Sequence, residues 1–373
     1  MSDEQTGVSD ERRKAWGDKY RPRYSGVATF MRRPLLEEPE QWGGIEVGLM
    51  GVPFDGAVTN RPGARHGPRH LRDQSTLMGL MNHQTGVRPY DLANIADLGD
   101  VFIEHPYELN AAIDDIKAFY DTVFAAGIAP VTAGGDHSIT WPIMKAMAEH
   151  TGEPVGLVHF DAHCDTAAEL FGHRNHHGGP FRIAVEEGAL DPKRTIQIGI
   201  RGPAEPQWDF SYESGMTVIH IEELYEMGIP AVIAKAREVV GAGPTYVSFD
   251  VDGMDPVYAP GTGTPEVGGF NTFEAMQMLR GLRGLNIVAG DLVEVSPPWD
   301  PSGTTGLNGV QMMFEIMCLV AESVGSDLMV DVDVFPLELA EGAFQAAAVV
   351  VPVALQEDAI QKGHAPADAG YVL

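Results

Sequence analysis

Between residues 45 and 292 the chain alternates short, β-rich apolar runs with stretches of helical periodicity, and this alternation limits the fold more than any other feature. Strands are predicted at Ile45–Leu49, Ala93–Leu98, Pro130–Thr132, Val155–Phe160, Thr195–Ile198, Thr217–Ile221, Thr245–Phe249 and Ile287–Leu292. Helices are predicted at Leu109–Ala125, Thr140–His150, Phe181–Glu187, Ile221–Met227, Pro230–Val240, Thr272–Leu282 and Thr305–Ser323. Strands apolar on both faces and separated by helices belong in a parallel sheet covered on both sides. Right-handed crossovers then give one doubly wound α/β domain over residues 26–325, with about eight strands. Residues 1–25 read as an N-terminal arm. Residues 326–373, apolar and then Gly/Ala/Pro-rich, read as an extension for docking or oligomer contact.

Three of the apolar strands run directly into metal-ligand residues. The first leads to Gly134, Gly135, Asp136 and His137, the second to Asp161, His163 and Asp165, the third to Asp250, Asp252 and Asp255. In an extended segment residues i, i+2 and i+4 point to one side, so Asp161, His163 and Asp165 are expected to converge, as are Asp250 and Asp252. Open α/β sheets bind ligands beyond the carboxyl ends of their strands, where all three clusters would lie. Carboxylates crowded together repel each other unless a cation sits among them. Carboxylate and imidazole suit several first-row divalent metals. The ligands outnumber the needs of one ion, which favours a pair.

Composition narrows the partners. The net charge of −28 repels phosphate backbones and anionic lipid, so nucleic acid and membrane are poor partners. Two cysteines, Cys164 and Cys318, cannot form a disulfide framework. No signal-like N-terminus and no run of about eighteen apolar residues is apparent, so a cytoplasmic location is expected.

The motifs Gly-Gly-Asp-His-Ser (134–138), Asp-Ala-His-Cys-Asp (161–165), Ser-Phe-Asp-Val-Asp (248–252), Ala-Pro-Gly-Thr-Gly-Thr-Pro-Glu (259–266) and Asp-Leu-Val-Glu-Val-Ser-Pro-Pro (291–298) together resemble the ureohydrolases, the arginase and agmatinase family. The early segments 23–32 and 59–69 look more like the guanidino-acid members than like arginase. The resemblance implies an arginase-like fold and hydrolysis of a guanidinium C–N bond to urea and an amine, with a hydroxide held by two divalent ions, Mn2+ or Ni2+. It implies that His137, Asp161, Asp165 and Asp250 hold one ion, and that Asp161, His163, Asp250 and Asp252 hold the other. Asp165 would also orient the hydroxide. Glu294 would pair with the substrate guanidinium through a two-pronged contact, and His177 rather than His176 would pass a proton to the leaving amine. The family implies a homotrimer or homohexamer, with a related second subunit as a further option.

Several neighbours carry two readings. His159 is either a support for Asp161 or a satisfied core histidine, while Asp136 and Asp255 read as structural caps. Cys164 reads as packing. Met254 and Trp299 are core or pocket wall.

The substrate loop departs from the pattern. Ala167 stands where family members often carry an Asn, and Gly179 where a Thr is common. The loop between them carries His173, Arg174 and Asn175. Arg174 could hold the carboxylate of guanidinopropionate or guanidinobutyrate. Alternatively, the pocket takes guanidine, an alkylguanidine or a metformin-like biguanide, which the sequence slightly favours; agmatine is a third option. A single-zinc deacetylase, a metal-free subunit of a mixed oligomer and a metal-storage protein are rival classes. The full ligand set, Glu294 and His177 argue against each of them.

Overall fold

The computed structural model describes residues 22–202 and 205–326. The predicted C-terminal extension beyond Ser326 and the arm before Pro22 lie outside the described residues. The strands are β1 (Val47–Gly51), β2 (Ile95–Asp100), β3 (Ala129–Ala133), β4 (Val155–Phe160), β5 (Leu190–Ile200), β6 (Thr217–His220), β7 (Thr245–Asp250) and β8 (Ile287–Val293). All eight join one sheet in the order β2-β1-β3-β8-β7-β4-β5-β6, and every pairing is parallel.

Alternation along the strands explains the layers. Leu49, Val158, Phe160, Val247 and Phe249 belong to one apolar cluster, together with helices Ile229–Val240, Thr272–Arg280 and Thr304–Ser326. Met50, Leu157 and Tyr246 belong to a second, with helices Leu109–Ala125, Thr140–Thr151 and Pro180–Glu186. Successive side chains of a strand face opposite ways, so a strand buried on both faces must be apolar throughout. Local signals set the helix ends. Gly152 takes a left-handed conformation after Thr151, and Asn271 and Glu274 form a reciprocal capping box.

Three helices escaped the sequence reading: Gly67–Ser75, Pro89–Leu92 and Glu205–Ser214. Each opens on or next to a proline and reads as a turn, although proline is well suited to the first helical turn. One expectation needs correction. Helix Thr304–Gly325 contains an 18-residue window of mean hydropathy 1.2, long and apolar enough by those measures to cross a membrane. It is a core helix here, with 67% of that window buried.

In the sheet order, β3, β8, β7 and β4 are consecutive neighbours. Because all are parallel, their carboxyl ends open at the same edge. The chain leaves those four ends through Gly134–His137, Glu294, Asp252 and Asp161–Asp165 respectively. The glycine at 135 is demanded by close approach: a Cβ there would collide with the carbonyl oxygen of Phe54 and lie 2.7 Å from that of Val52. The bare backbone instead accepts from the Glu294 N–H at 2.9 Å and donates to Val52 at 3.0 Å.

Candidate metal centre

The six predicted ligands meet at this edge, though by a different route from the one expected. Strand β4 ends at Phe160, and β7 at Asp250. Asp165 is brought back toward Asp161 by a left-handed backbone (φ 52°), and Asp252 by a short 3-10 turn over Val251–Gly253. Loop hydrogen bonds hold the turns. The His163 N–H donates to Asp161 Oδ1 at 2.6 Å, the Ala162 N–H to Asp252 Oδ1 at 3.1 Å, and the Asp252 N–H to Asp250 Oδ1 at 2.8 Å.

Two clusters share Asp161. His137 Nδ1 lies 2.9 Å from Asp165 Oδ2 and 3.3 Å from both Asp161 Oδ2 and Asp250 Oδ2. His163 Nδ1 lies 3.4 Å from Asp161 Oδ1 and 3.2 Å from Asp252 Oδ2. His159 is fully buried and its Nε2 sits 2.7 Å from Asp161 Oδ2, so it supports that carboxylate.

The electrostatics are those of crowded anions. Burial and the negative charges of Asp252 and Asp161 push Asp250 well above the usual carboxylate range. Burial and Asp161 raise Asp252 to about 7. Burial works against charge on His137 and His163, yet the surrounding carboxylates raise both well above the ordinary imidazole value. Asp161 is held well below its ordinary value despite burial, chiefly by His159 and then by His137.

The residues fit a divalent pair, and His137 carries the test. Its Nε2 lies 2.8 Å from Ser248 Oγ, which lies 2.7 Å from Asp291 Oδ1. An ionised carboxylate only accepts, so the Ser248 hydroxyl donates to Asp291 and accepts from the Nε2–H. In the neutral ring, which a bound cation would enforce, the lone pair of His137 is therefore on Nδ1. That atom is buried, faces three carboxylates and has no hydrogen-bond partner. A cation among those oxygens would satisfy all four groups at once. Asp291 is fixed in turn by Thr140 and Tyr246, whose hydroxyls donate to Oδ2 at 2.6 and 2.9 Å.

Glu294 stands beside this centre in a left-handed conformation (φ 63°). Its Oε1 accepts from the His137 N–H and from His177 Nδ1, each at 2.9 Å. Its Oε2 is buried and unpartnered, 3.3 Å from where a Cβ on Gly263 would be. One carboxylate oxygen is therefore left without a partner, rather than the two-pronged face expected, and Glu294 is not among the residues lining the cavity described below. Burial lowers the His177 imidazole, but Glu294 and more distant carboxylates outweigh it and raise the pKa to about 9. The Thr59 N–H, aimed at Nε2 from 3.1 Å, requires the neutral ring instead. Cations among the neighbouring carboxylates would cancel much of their pull and leave the ring neutral, as that contact requires.

A cavity of about 390 Å³ opens over the centre. Its walls include Thr59, Asn60, Arg61, His163, Asp165, Leu170, His177, Asp250, Asp252, Thr264 and Glu266. The substrate-loop residues are placed elsewhere. Arg174 points to Glu186 Oε2 at 2.8 Å and Glu187 Oε1 at 3.1 Å and does not line the cavity; two surface carboxylates have captured it. Asn175 donates to Asn110, and His173 pairs through its backbone with Leu170. Ala167 is buried, with its N–H on the Gly178 carbonyl. Trp299 is 44% exposed, donates to the Pro62 carbonyl and lies 4.9 Å from the Arg61 guanidinium, outside the cavity wall. His176 is buried away from the cavity wall, Asp255 caps its own turn through Val257 and Gly268, and Met254 and Cys164 are core.

Sequence reasoning missed four contributors. Ser248 precedes Asp250 by two residues in the same strand, a signal that could have been used. Asp291 and Thr59 open the segments 291–298 and 59–69 already singled out, which gave them no individual role, and Arg201 gave no signal. Arg201 binds the carbonyls of Asp252 and Glu266 at 2.7 Å and of Gly253 at 3.1 Å, tying the ligand turn to the cavity wall.

Residues 45–319 match the arginase family. A guanidinopropionase from Pseudomonas aeruginosa is 53% identical over 305 residues, which is 81% of this chain and 94% of that protein. A guanidinobutyrase from the same organism is 43% identical over 82% of this chain and 95% of its own length. Among solved structures, the proclavaminate amidino hydrolase of Streptomyces clavuligerus superposes with a TM-score of 0.77 at 38% identity, covering 81% of this chain and all of the other.

Proposed function

This chain belongs to the arginase family and is a hydrolase of C–N bonds in linear amidines, and on that premise we propose that it cleaves a short guanidino acid to urea and an amino acid. The observation that carries the reading is Glu294 Oε2, a buried acceptor with no partner beside the two ligand clusters. A guanidinium is a planar donor, and a lone carboxylate oxygen in a dry site is its natural complement. The family uses a binuclear divalent metal centre, and His137, Asp161, His163, Asp165, Asp250 and Asp252 would hold it here. When bound, the ions would supply a nucleophilic water at neutral pH and polarise the carbon under attack.

The chain's own residues do the rest. Glu294 Oε1 is occupied by the His137 N–H and by His177 Nδ1, so the carboxylate cannot swivel. Its Oε2 receives the guanidinium and holds the carbon over the ligand clusters. His177 Nδ1 lies beside that docking point, so a ring that takes up a proton at Nε2 can pass its Nδ1 proton to the departing amine. Arg61 places the one guanidinium group among the cavity-wall residues, opposite in sign to the carboxylates below it, which suits an acidic tail and opposes the amine of agmatine.

A second reading, a small guanidine or biguanide without a carboxylate, is favoured by the capture of Arg174 and by apolar Ala167. The test is metal content and urea release by protein produced with manganese or nickel. The panel is guanidinopropionate, guanidinobutyrate, agmatine, arginine, methylguanidine, guanidine and metformin. Two ions per chain with turnover of a guanidino acid supports the proposal. Turnover confined to uncharged-tail guanidines transfers it to the second reading, and no turnover with either metal overturns both.

A further inference from the structure

Residues 55–65 form a loop across the cavity mouth, and its shape is fixed from both ends. Asp55 Oδ2 accepts from the N–H groups of Gly63 and Arg65 at 2.8 and 3.3 Å. Asp136 Oδ2 accepts from the Ala57 N–H at 2.9 Å. The His177 N–H donates to the Ala57 carbonyl at 3.1 Å, which joins the loop to the turn bearing the imidazole. Thr59 is thereby presented to His177, 118 residues away in sequence.

Both polar groups of Thr59 meet one ring nitrogen. Its backbone N–H lies 3.1 Å from His177 Nε2, and its Oγ1 lies 2.7 Å from the same atom. A backbone N–H can only donate, so Nε2 must offer its lone pair. The ring proton is then on Nδ1, where it donates to Glu294 Oε1. The opposite tautomer would set a hydrogen against the Thr59 N–H and a lone pair against a carboxylate oxygen.

We propose that Thr59 is a positioning residue that fixes the tautomer of His177, and through it the orientation of Glu294. The inference rests on the roles proposed above for His177 and Glu294. With the proton held on Nδ1, Glu294 keeps both donors on Oε1, and its Oε2 stays turned to the substrate.

The experiment compares wild-type holoenzyme with Thr59→Pro, which removes the backbone N–H, and Thr59→Ser, which keeps both the N–H and a hydroxyl. In protein carrying nitrogen-15 histidine, the wild-type His177 signals, assigned by their loss in His177→Gln, should show a protonated Nδ1 and a bare Nε2. Thr59→Pro should shift that balance toward Nε2–H and lower kcat about tenfold with KM within about twofold, while Thr59→Ser stays within about twofold of wild type in both. A protonated Nε2 in the wild type overturns the proposal, as does equal loss of kcat in both variants or none in either. If the wild type hydrolyses no guanidino compound, the functional reading fails, and the nitrogen spectra still decide the tautomer.

Discussion

Removal of the Ser248 hydroxyl should weaken metal binding without dismantling the centre. Among the described residues, Ser248 is the link between His137 Nε2 and Asp291, at 2.8 and 2.7 Å. In Ser248→Ala the Nε2–H is left buried without an acceptor, which costs about 1–3 kcal/mol. The cost falls on the metal-bound state, where Nδ1 is committed to the ion and the ring cannot turn. Asp291 keeps Thr140 and Tyr246 on its other oxygen, so the fold loses little more than one internal bond. At about 1.4 kcal/mol per tenfold, the dissociation constant should rise about 10- to 100-fold, as is usual when the partner of a ligand histidine is lost. A chelator-competition titration reads this directly, alongside the denaturation midpoint of chelator-treated protein. An affinity within about threefold of wild type, with a lowered midpoint for the chelated protein, would show that the relay serves folding alone and would refute the assignment of the lone pair to His137 Nδ1.

Other consequences can be measured on the same preparations. Glu294→Gln removes the charge that receives the guanidinium and should lower kcat/KM about 10- to 150-fold while metal content holds. His177→Gln should lower kcat about 10²- to 10⁴-fold with two ions still bound, read by urea release and metal analysis. Arg201→Lys cannot span the carbonyls of Asp252, Gly253 and Glu266 together and should destabilise the chain by about 2 kcal/mol in denaturant melts. For chelated protein, stability should fall as pH rises from about 5 to about 8. Asp252 is raised to about 7, Asp250 is raised well above its ordinary value, and His137 and His163 are raised likewise, so the folded state holds more protons than the unfolded in that window. Asp161, shifted downward, is ionised in both states there and adds no slope. A denaturation midpoint that is level or rising between those pH values would contradict the crowded-anion account.

The sheet was legible because strands buried on both faces leave apolar runs too short for helices and rich in β-branched residues, and β4 begins and ends where the sequence places it. The gathering of the six predicted ligands was legible because residues directly after such runs lie at the carboxyl edge of a parallel sheet. The route by which the ligands converge was not. Alternation was assumed to continue through Asp165, whereas the strand stops at Phe160 and a left-handed residue turns the chain. Arg174 was misplaced because nothing in its own loop reveals that Glu186 and Glu187, on a later helix and its end, would reach it first. The roles of Thr59 and Asp291 were hidden for the same reason, although both open segments singled out in the sequence: their partners lie far off along the chain, and only the packed sheet brings them together.

The left-handed backbone of Asp165 and Glu294 carries a cost in robustness. Ordinary residues resist that conformation by about 1 kcal/mol or more each, and glycine does not. A laboratory selection for heat resistance alone would therefore be drawn to glycine at both positions, and its winners would be sturdier and inert. Durability and turnover compete at two identifiable peptide units, so thermal hardening of this chain has to come from the helices that flank the sheet and leave those two turns strained.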